Sequence, residues 1–261
     1  MISKNVIKQI HSLSLKKHRD ATGLFVAEGP KVVGDLLPLL ACERLYLTPE
    51  GMEAFAGRKW KPMLEQVHTE PVSQGELERL SMLKSPHAAL GVFRIPQQEL
   101  SAEQTAELAR TRLCMALDGV QDPGNLGTII RIADWFGIEH LFVTPDTADA
   151  FSPKVVQATM GAIGRVSLHQ VDLASMLLSM DEDTPVFGTF LDGDDMYGEA
   201  LSGHGIIVMG NEGKGISPSV ARCINRRLFI PSFPADRPTS ESLNVAVATA
   251  VICAEFRRRM S

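Results

Sequence analysis

Three turns in this sequence concentrate residue types able to bind and orient a ligand. The first, DPGNLGTIIR at residues 122–131, places Asn125 between Gly124 and Gly127 and follows them with Arg131 one helical turn later. Helical side chains lean toward the N-terminus, so Arg131 points back at the turn, where its planar fork suits a phosphate or carboxylate. An ion pair with Asp134 is the ordinary alternative. In the second, MGNEGKGIS at 209–217, Gly210, Gly213 and Gly215 let backbone approach a ligand, while Glu212 and Lys214 add a carboxylate and a cation. The third, IPSFPADRPTSESLN at 230–244, is stiffened by Pro231, Pro234 and Pro238. There Ser240 or Ser242 is expected to cap the following helix, and Asn244, a poor helix former inside its first turn, reads as a site residue.

Nucleotide chemistry of the familiar kinds is excluded by spacing. A dinucleotide fingerprint needs G-x-G-x-x-G opening a helix, and the first turn supplies only Gly124 and Gly127. A P-loop needs G-x-x-x-x-G-K-[ST]; Lys214 follows Gly213, but Val208 stands where the first glycine belongs and Gly215 where the hydroxyl belongs. Cys42, Cys114, Cys223 and Cys253 are scattered through apolar segments without a CxxC pair or a histidine at zinc-site spacing, so buried reduced thiols and no metal site are expected.

The elements that must hold these turns follow from hydropathy. The 261 residues are 44% hydrophobic and 22% charged, as in a soluble globular protein. No run approaches the length of a membrane span and the polar N-terminus lacks an apolar h-region, so a cytoplasmic protein is expected. Residues 1–96 alternate helical and strand patterns as a small α/β unit: a basic helix to about Lys17, then GLFVAEG, KVVGDLLPLL, ERLYLT, SQGELERLSML and ALGVFRIP. Residues 97–110, polar and without aromatics, read as a linker that is partly helical, and 111–261 as a second domain. Its strands, LCMALDGV, HLFVT, RVSLH, PVFGTFL, GIIVMG and RRLFIP, are continuous apolar runs that suit a parallel sheet covered on both faces. All three turns then fall at C-terminal strand ends, where open α/β sheets place their ligands. The last helix, SESLNVAVATAVICAEFRRR, is apolar around nearly its whole axis and is expected to be buried on nearly all sides. Formal charge is −5 overall, against a polyanionic partner, yet residues 1–31 carry six basic residues (Lys4, Lys8, Lys16, Lys17, Arg19, Lys31) against two acids (Asp20, Glu28).

In order and spacing, NLGTIIR, VMGNEGKGIS and IPSFPADRPTSESLNVAVATA resemble the three motifs of the SpoU (TrmH) family of RNA ribose 2′-O-methyltransferases, within the SPOUT superfamily. The match covers about residues 113–256. The N-terminal unit, through KKHRDATGLFVAEGPKVV and SPHAALGVFRIP, is similar to the L30e-like RNA-binding domain that precedes many members. The sequence departs from the commoner third motif by a longer insertion before SLN and by Ala246 in place of a serine.

The resemblance implies an α/β fold with a parallel sheet and a deep trefoil knot, a homodimer joined through the knotted domains, and S-adenosylmethionine as methyl donor without a metal. Ala246, Ala248, Ala250 and Ala254 would then permit close helix approach between two copies. By position, Thr189, Leu191, Gly210, Asn211, Gly215, Ile230, Ser242 and Leu243 are the cofactor contacts it implies, and Arg131, Asn125, Glu212, Ser242 and Asn244 the catalytic set. In that set Arg131 is drawn as the general base or, as its high pKa suits better, clamps the substrate phosphate and steadies the developing alkoxide; Asn125 and Asn244 orient the ribose or Arg131, and Glu212 fixes the arginine or the loop. Structured RNA is the expected substrate, with ribosomal RNA (23S) ahead of transfer RNA, and Lys16, Lys17, Arg19 and Arg131 as its phosphate contacts. The competing class is a non-catalytic RNA-binding or ribosome-assembly protein that keeps the fold.

Overall fold

The structure, a computed structural model, describes residues 1–57, 59–97, 99–234 and 242–260. Ser240 and Pro238, weighed above, lie outside the described residues. The chain divides into two compact units, one of residues 1–97 with 149–165 and one of 98–148 with 166–261.

The first unit opens with α1 (Lys4–Ser12) and α2 (Lys16–Thr22), so the single basic helix expected to about Lys17 is two helices. The first ends at Leu13, whose buried side chain packs into the unit's core, and the second ends at Gly23, whose φ of +66° closes it. Next come β1 (Leu24–Glu28), α3 (Pro30–Leu36), β2 (Cys42–Leu47), α4 (Pro49–Phe55), α5 (Lys61–Leu64), β3 (Thr69–Pro71), α6 (Gln74–Leu80) and β4 (Ala89–Arg94). The sheet order is β1-β4-β2-β3, antiparallel except for the β2–β3 pair. Ser73 and Glu76 form a reciprocal capping box that starts α6.

The second unit begins with α7 (Ala102–Thr111), which occupies most of the expected linker and is started by a capping box between Ser101 and Gln104. It continues through β5 (Leu113–Asp118), α8 (Pro123–Trp135) and β6 (His140–Val143). The chain then makes α9 (Pro153–Thr159) and a 3-10 turn, both belonging to the first unit, before β7 (Ser167–Gln170). There follow α10 (Leu173–Leu178), β8 (Val186–Asp195), β9 (Gly205–Gly210), α11 (Pro218–Ala221), β10 (Arg226–Phe229) and α12 (Val245–Arg258). Six strands form one wholly parallel sheet in the order β10-β8-β9-β5-β6-β7, as their continuous apolar composition requires. Every residue of the central strands β5 and β9 is buried. Connections leave β5 toward β6 on one side while β9 lies on the other, so the ends of these two strands flank a topological switch point.

α8 and α12 pack together, and Arg257 of α12 closes the end of α8 by donating to the Phe136 and Gly137 carbonyls at 2.7 and 3.0 Å. Phe187 of β8 meets Phe256 of α12 edge to face at 4.9 Å, and both rings are withdrawn from water. The expectation that α12 is buried on nearly all sides holds for most of it but not for one stripe. Val247 is 51% exposed, Ala254 is exposed, and Ala250 and Val251 are half-buried. Ala246, by contrast, faces its own core. The four cysteines are free, but Cys42 and Cys223 are only partly buried, because each lies at the edge of its unit's core. Burial pushes the Cys114 and Cys253 thiols up to about 12.

Candidate active site

Asp118, the last residue of β5, stands in register with Gly210, the last residue of β9. Parallel pairing therefore delivers the first and second turns side by side. Two bonds fasten them, Ser217 N donating to Asp118 Oδ2 and Asn211 Nδ2 to the Gly119 carbonyl, each at 2.6 Å, while Gly119 N donates to Thr144 Oγ1 after β6 at 2.9 Å. Gly119 takes φ of +71°, which a side chain would strain.

In the first turn Asp122 is the N-cap of α8, accepting from Asn125 N at 2.8 Å, with Pro123 in the first helical turn. Glu212 from the second turn accepts from Gln121 N, Asp122 N and Asn125 Nδ2 at 3.4, 3.3 and 2.9 Å. The amides that a phosphate would use are thus already engaged by the chain's own carboxylates. Desolvation pushes the Glu212 carboxyl up, and the hydrogen bonds from Asn125, its own amide, Asp122 and Gln121 outweigh it, leaving Glu212 below the ordinary carboxylate value.

Asn125 Oδ1 in turn accepts from Asn244 Nδ2 at 2.9 Å, and Asn244 Oδ1 accepts from Ala246 N and Val247 N at 3.0 and 3.2 Å. Both ends of this relay fix its direction. A carboxylate only accepts and helix amides only donate, so each asparagine can take one orientation. Asn244 is accordingly the N-cap of α12 and not a residue inside its first turn, and the cap expected of Ser242 belongs to Asn244. Ser242 is exposed and makes no hydrogen bond among the described residues. Glu212 fixes the loop and not the arginine. Arg131 is exposed on α8 and pairs with nothing among the described residues.

Beside the relay lies a cavity of about 690 Å3, a size suited to a nucleoside-sized ligand. Thr189, Leu191, Gly210, Asn211, Gly215, Ile230, Ser242 and Leu243 all line it, together with Phe190, Ser232 and Val245. Gly210 admits no side chain, since a Cβ there would lie 2.3 Å from the Gly215 carbonyl carbon and 2.4 Å from Ile216 N. The Asn211 side chain works on the loop itself: its Oδ1 accepts from Gly213 N and Lys214 N at 2.9 and 3.0 Å, and its backbone pairs with Gly215. The rim is therefore largely backbone, shaped by glycines.

The basic residues of the first unit divide. Lys17 is exposed, and Lys16 is exposed with Asp20 at 3.3 Å. Arg19, however, is only 2% exposed; it donates to the Leu13 carbonyl and to Asp149, each at 2.6 Å, so it is withdrawn from the set of phosphate contacts. Burial of a charge requires such pairing, and Asp149 lies in the segment that joins the first unit from far along the chain.

Sequence reasoning missed Gln121 and Asp122 as holders of Glu212, although an aspartate directly before proline at a helix start was a visible cap signal. Phe190 lies within the stretch TFL, expected to line the adenosine side, but Arg227 behind it was missed; their meeting depends on strand register, which no local pattern carries.

Residues 112–254 match the SpoU rRNA Methylase family, and residues 4–91 match the MRM3-like substrate binding domain. The chain is 27% identical to the Bacillus subtilis (strain 168) 23S rRNA (guanosine(2553)-2′-O)-methyltransferase RlmP over 96% of this chain and 95% of that one. Among solved structures, a putative RNA methyltransferase of the TrmH family from Porphyromonas gingivalis superposes with a TM-score of 0.84 at 39% identity, covering 99% of both chains. An AdoMet-bound rRNA methyltransferase from Sinorhizobium meliloti gives 0.83 at 28% identity, covering 100% of this chain and 97% of that one.

Proposed function

The chain belongs to the SpoU rRNA methylase family, and from that premise we propose that it transfers a methyl group from S-adenosylmethionine to a ribose 2′-hydroxyl of ribosomal RNA, with 23S RNA as the substrate. The observation that carries the reading is the relay Glu212–Asn125–Asn244, which ties all three motifs together beside a glycine-shaped cavity.

The cavity fits the donor in size and in its backbone rim, and Gly210, Asn211, Gly215, Ile230, Leu243, Thr189, Leu191 and Ser242 would hold it. When bound, S-adenosylmethionine supplies an electrophilic methyl group, so the chain must position the hydroxyl and manage its charge. Arg131, unpaired among the described residues, clamps the phosphate next to the target ribose and stabilises the negative charge that develops on the 2′-oxygen. An arginine holds its proton to a pKa above about 12, so an electrostatic role suits it better than that of a base. Asn125 and Asn244 hold the two helix starts in one geometry, and Glu212 fixes Asn125; these three are positioning residues.

The exposed lysines of the first unit, Lys16 and Lys17 above all, supply phosphate contacts to the RNA. Two copies associate through the stripe Val247, Val251 and Ala254 on α12 with Trp135 of α8, which is 85% exposed. An indole so fully in water, like the exposed apolar stripe on α12, is costly unless covered. The family's knotted path is part of this reading and rests on membership of the family. Incubating the full chain with radiolabelled S-adenosylmethionine and a 23S transcript tests the reading: label must enter ribose and must be lost in Arg131→Ala.

A further inference from the structure

The register of the large sheet breaks between β8 and β10. Arg227 lies opposite Gly188, and the next residue, Leu228, lies opposite Asp194. Residues 189–193 therefore leave the ladder as an arch, and Thr189, Phe190 and Leu191 on that arch line the cavity. Backbone that forgoes ladder bonds needs other contacts to keep one shape.

Two such contacts converge on one side chain. The Arg227 guanidinium carbon sits 3.5 Å from the centroid of the Phe190 ring, and Arg227 Nη2 donates to Asp192 Oδ1 at 2.6 Å. The Asp192 carboxyl is held below the ordinary carboxylate range by that bond. The feet of the arch are fixed by shape. A Cβ on Gly193 would lie 2.7 Å from the Leu228 carbonyl carbon, and one on Gly188 would lie 2.4 Å from Ile224 and 2.8 Å from the Phe190 ring. Between those feet, Arg227 bridges the span by touching both Phe190 and Asp192. Arginine suits the task because its flat guanidinium can lie on a ring while its edge pairs with a carboxylate; an ammonium offers a point charge to one of them at a time.

We propose that Arg227 is a positioning residue for the methyl donor: stacked on Phe190 and paired with Asp192, it holds the arch as one wall of the cavity and so sets donor affinity without touching the reacting atoms. The proposal rests on the reading of the cavity as the S-adenosylmethionine site. Its signature is a change in binding that leaves the chemical step alone.

Calorimetric titration of the full chain with S-adenosylmethionine and with S-adenosylhomocysteine, alongside steady-state methylation, tests it. Arg227→Ala is expected to raise Kd for both ligands, and KM for the donor, by about tenfold, with kcat at saturating donor within about twofold. Arg227→Lys should recover part of the loss and Asp192→Asn should cost about twofold. Phe190→Leu should weaken binding as much as Arg227→Ala. An Arg227→Ala protein that melts like the wild type and binds with unchanged Kd overturns the proposal, as does a fall in kcat at unchanged Kd. If Arg227→Ala does not fold, unchanged Kd in Phe190→Leu overturns it equally. Wild-type protein that binds neither ligand would overturn the donor site itself, whereas wild-type binding matched by Arg227→Ala overturns only the part given to Arg227.

Discussion

Two glycine-bearing turns leave adjacent strands of the same sheet, yet they serve the site in different ways. After β5, the amides around Gly124 are occupied from within, by Asp122 and by Glu212. After β9 the turn folds back on itself, with Gly210 against the backbone of Gly215 and Ile216, and lines the cavity. The first turn is a helix cap that aims two side chains, Asn125 and Arg131; the second is a cradle. Glycine at a strand end does not by itself announce a phosphate site. What separates the two cases is place: residues of the second turn line the cavity, whereas Asn125 and Arg131 of the first are not among its lining.

Substitutions in the two turns should therefore fail differently. The largest effect belongs to the helix that the first turn aims: Arg131→Ala should lower kcat by about a thousandfold or more while leaving donor Kd within a few-fold, as read by single-turnover methylation and calorimetry. Donor binding lost together with turnover would place Arg131 in the cradle instead. Gly210→Ala should do the reverse, abolishing donor binding and destabilising the fold by about 1–3 kcal/mol, since its Cβ would overlap the Gly215 carbonyl carbon at 2.3 Å.

Glu212→Gln replaces a charge-assisted acceptor of three N–H groups by a neutral amide, and a fall in kcat of about tenfold is expected with Kd little changed. The same carboxylate predicts a pH trend. Glu212 and Glu255 both lie below the ordinary value, Glu255 at about 2 through its pairs with Arg258 and Arg259. Their stabilisation is complete above the unfolded carboxylate value of about 4.3 and is lost as pH falls through the folded values. Thermal melts between about pH 5 and 2 should show a shallower decline in Glu255→Gln than in the wild type. The smallest effect should be Gly124→Ala, whose Cβ would meet only Asp122 Oδ1 at 3.0 Å. Stability within about 0.5 kcal/mol and nearly full activity are expected; a collapse of either would erase the contrast between the turns.

Much of this site was legible in the sequence because its motifs are local. Asn125, Arg131, Glu212 and Asn244 could be picked out by type and spacing, and continuous apolar strands announced a parallel sheet. The role of Asn244 was not legible, because whether an asparagine caps a helix or sits inside it depends on one residue of boundary. Nor was the fate of Arg19. A basic residue among lysines reads as solvated until Asp149, distant in sequence, draws it inward. The membership of residues 149–165 in the first unit is likewise a tertiary fact. It also makes truncation at residue 96 a poor test of RNA binding, since it would strip partners from that segment. Charge reversal of Lys16 and Lys17 breaks only the exposed Lys16–Asp20 pair among the contacts described and should weaken RNA binding several-fold, with a flatter salt dependence.

The central claim is that the relay and the exposed Arg131 serve methyl transfer to ribose. Nuclease and alkali digestion of 23S RNA methylated by the purified chain measures this most directly. The account predicts label in an alkali-resistant dinucleotide, the mark of a 2′-O-methyl ribose, and none when Arg131 is alanine. Label recovered on a base, or transfer undiminished in Arg131→Ala, would contradict it.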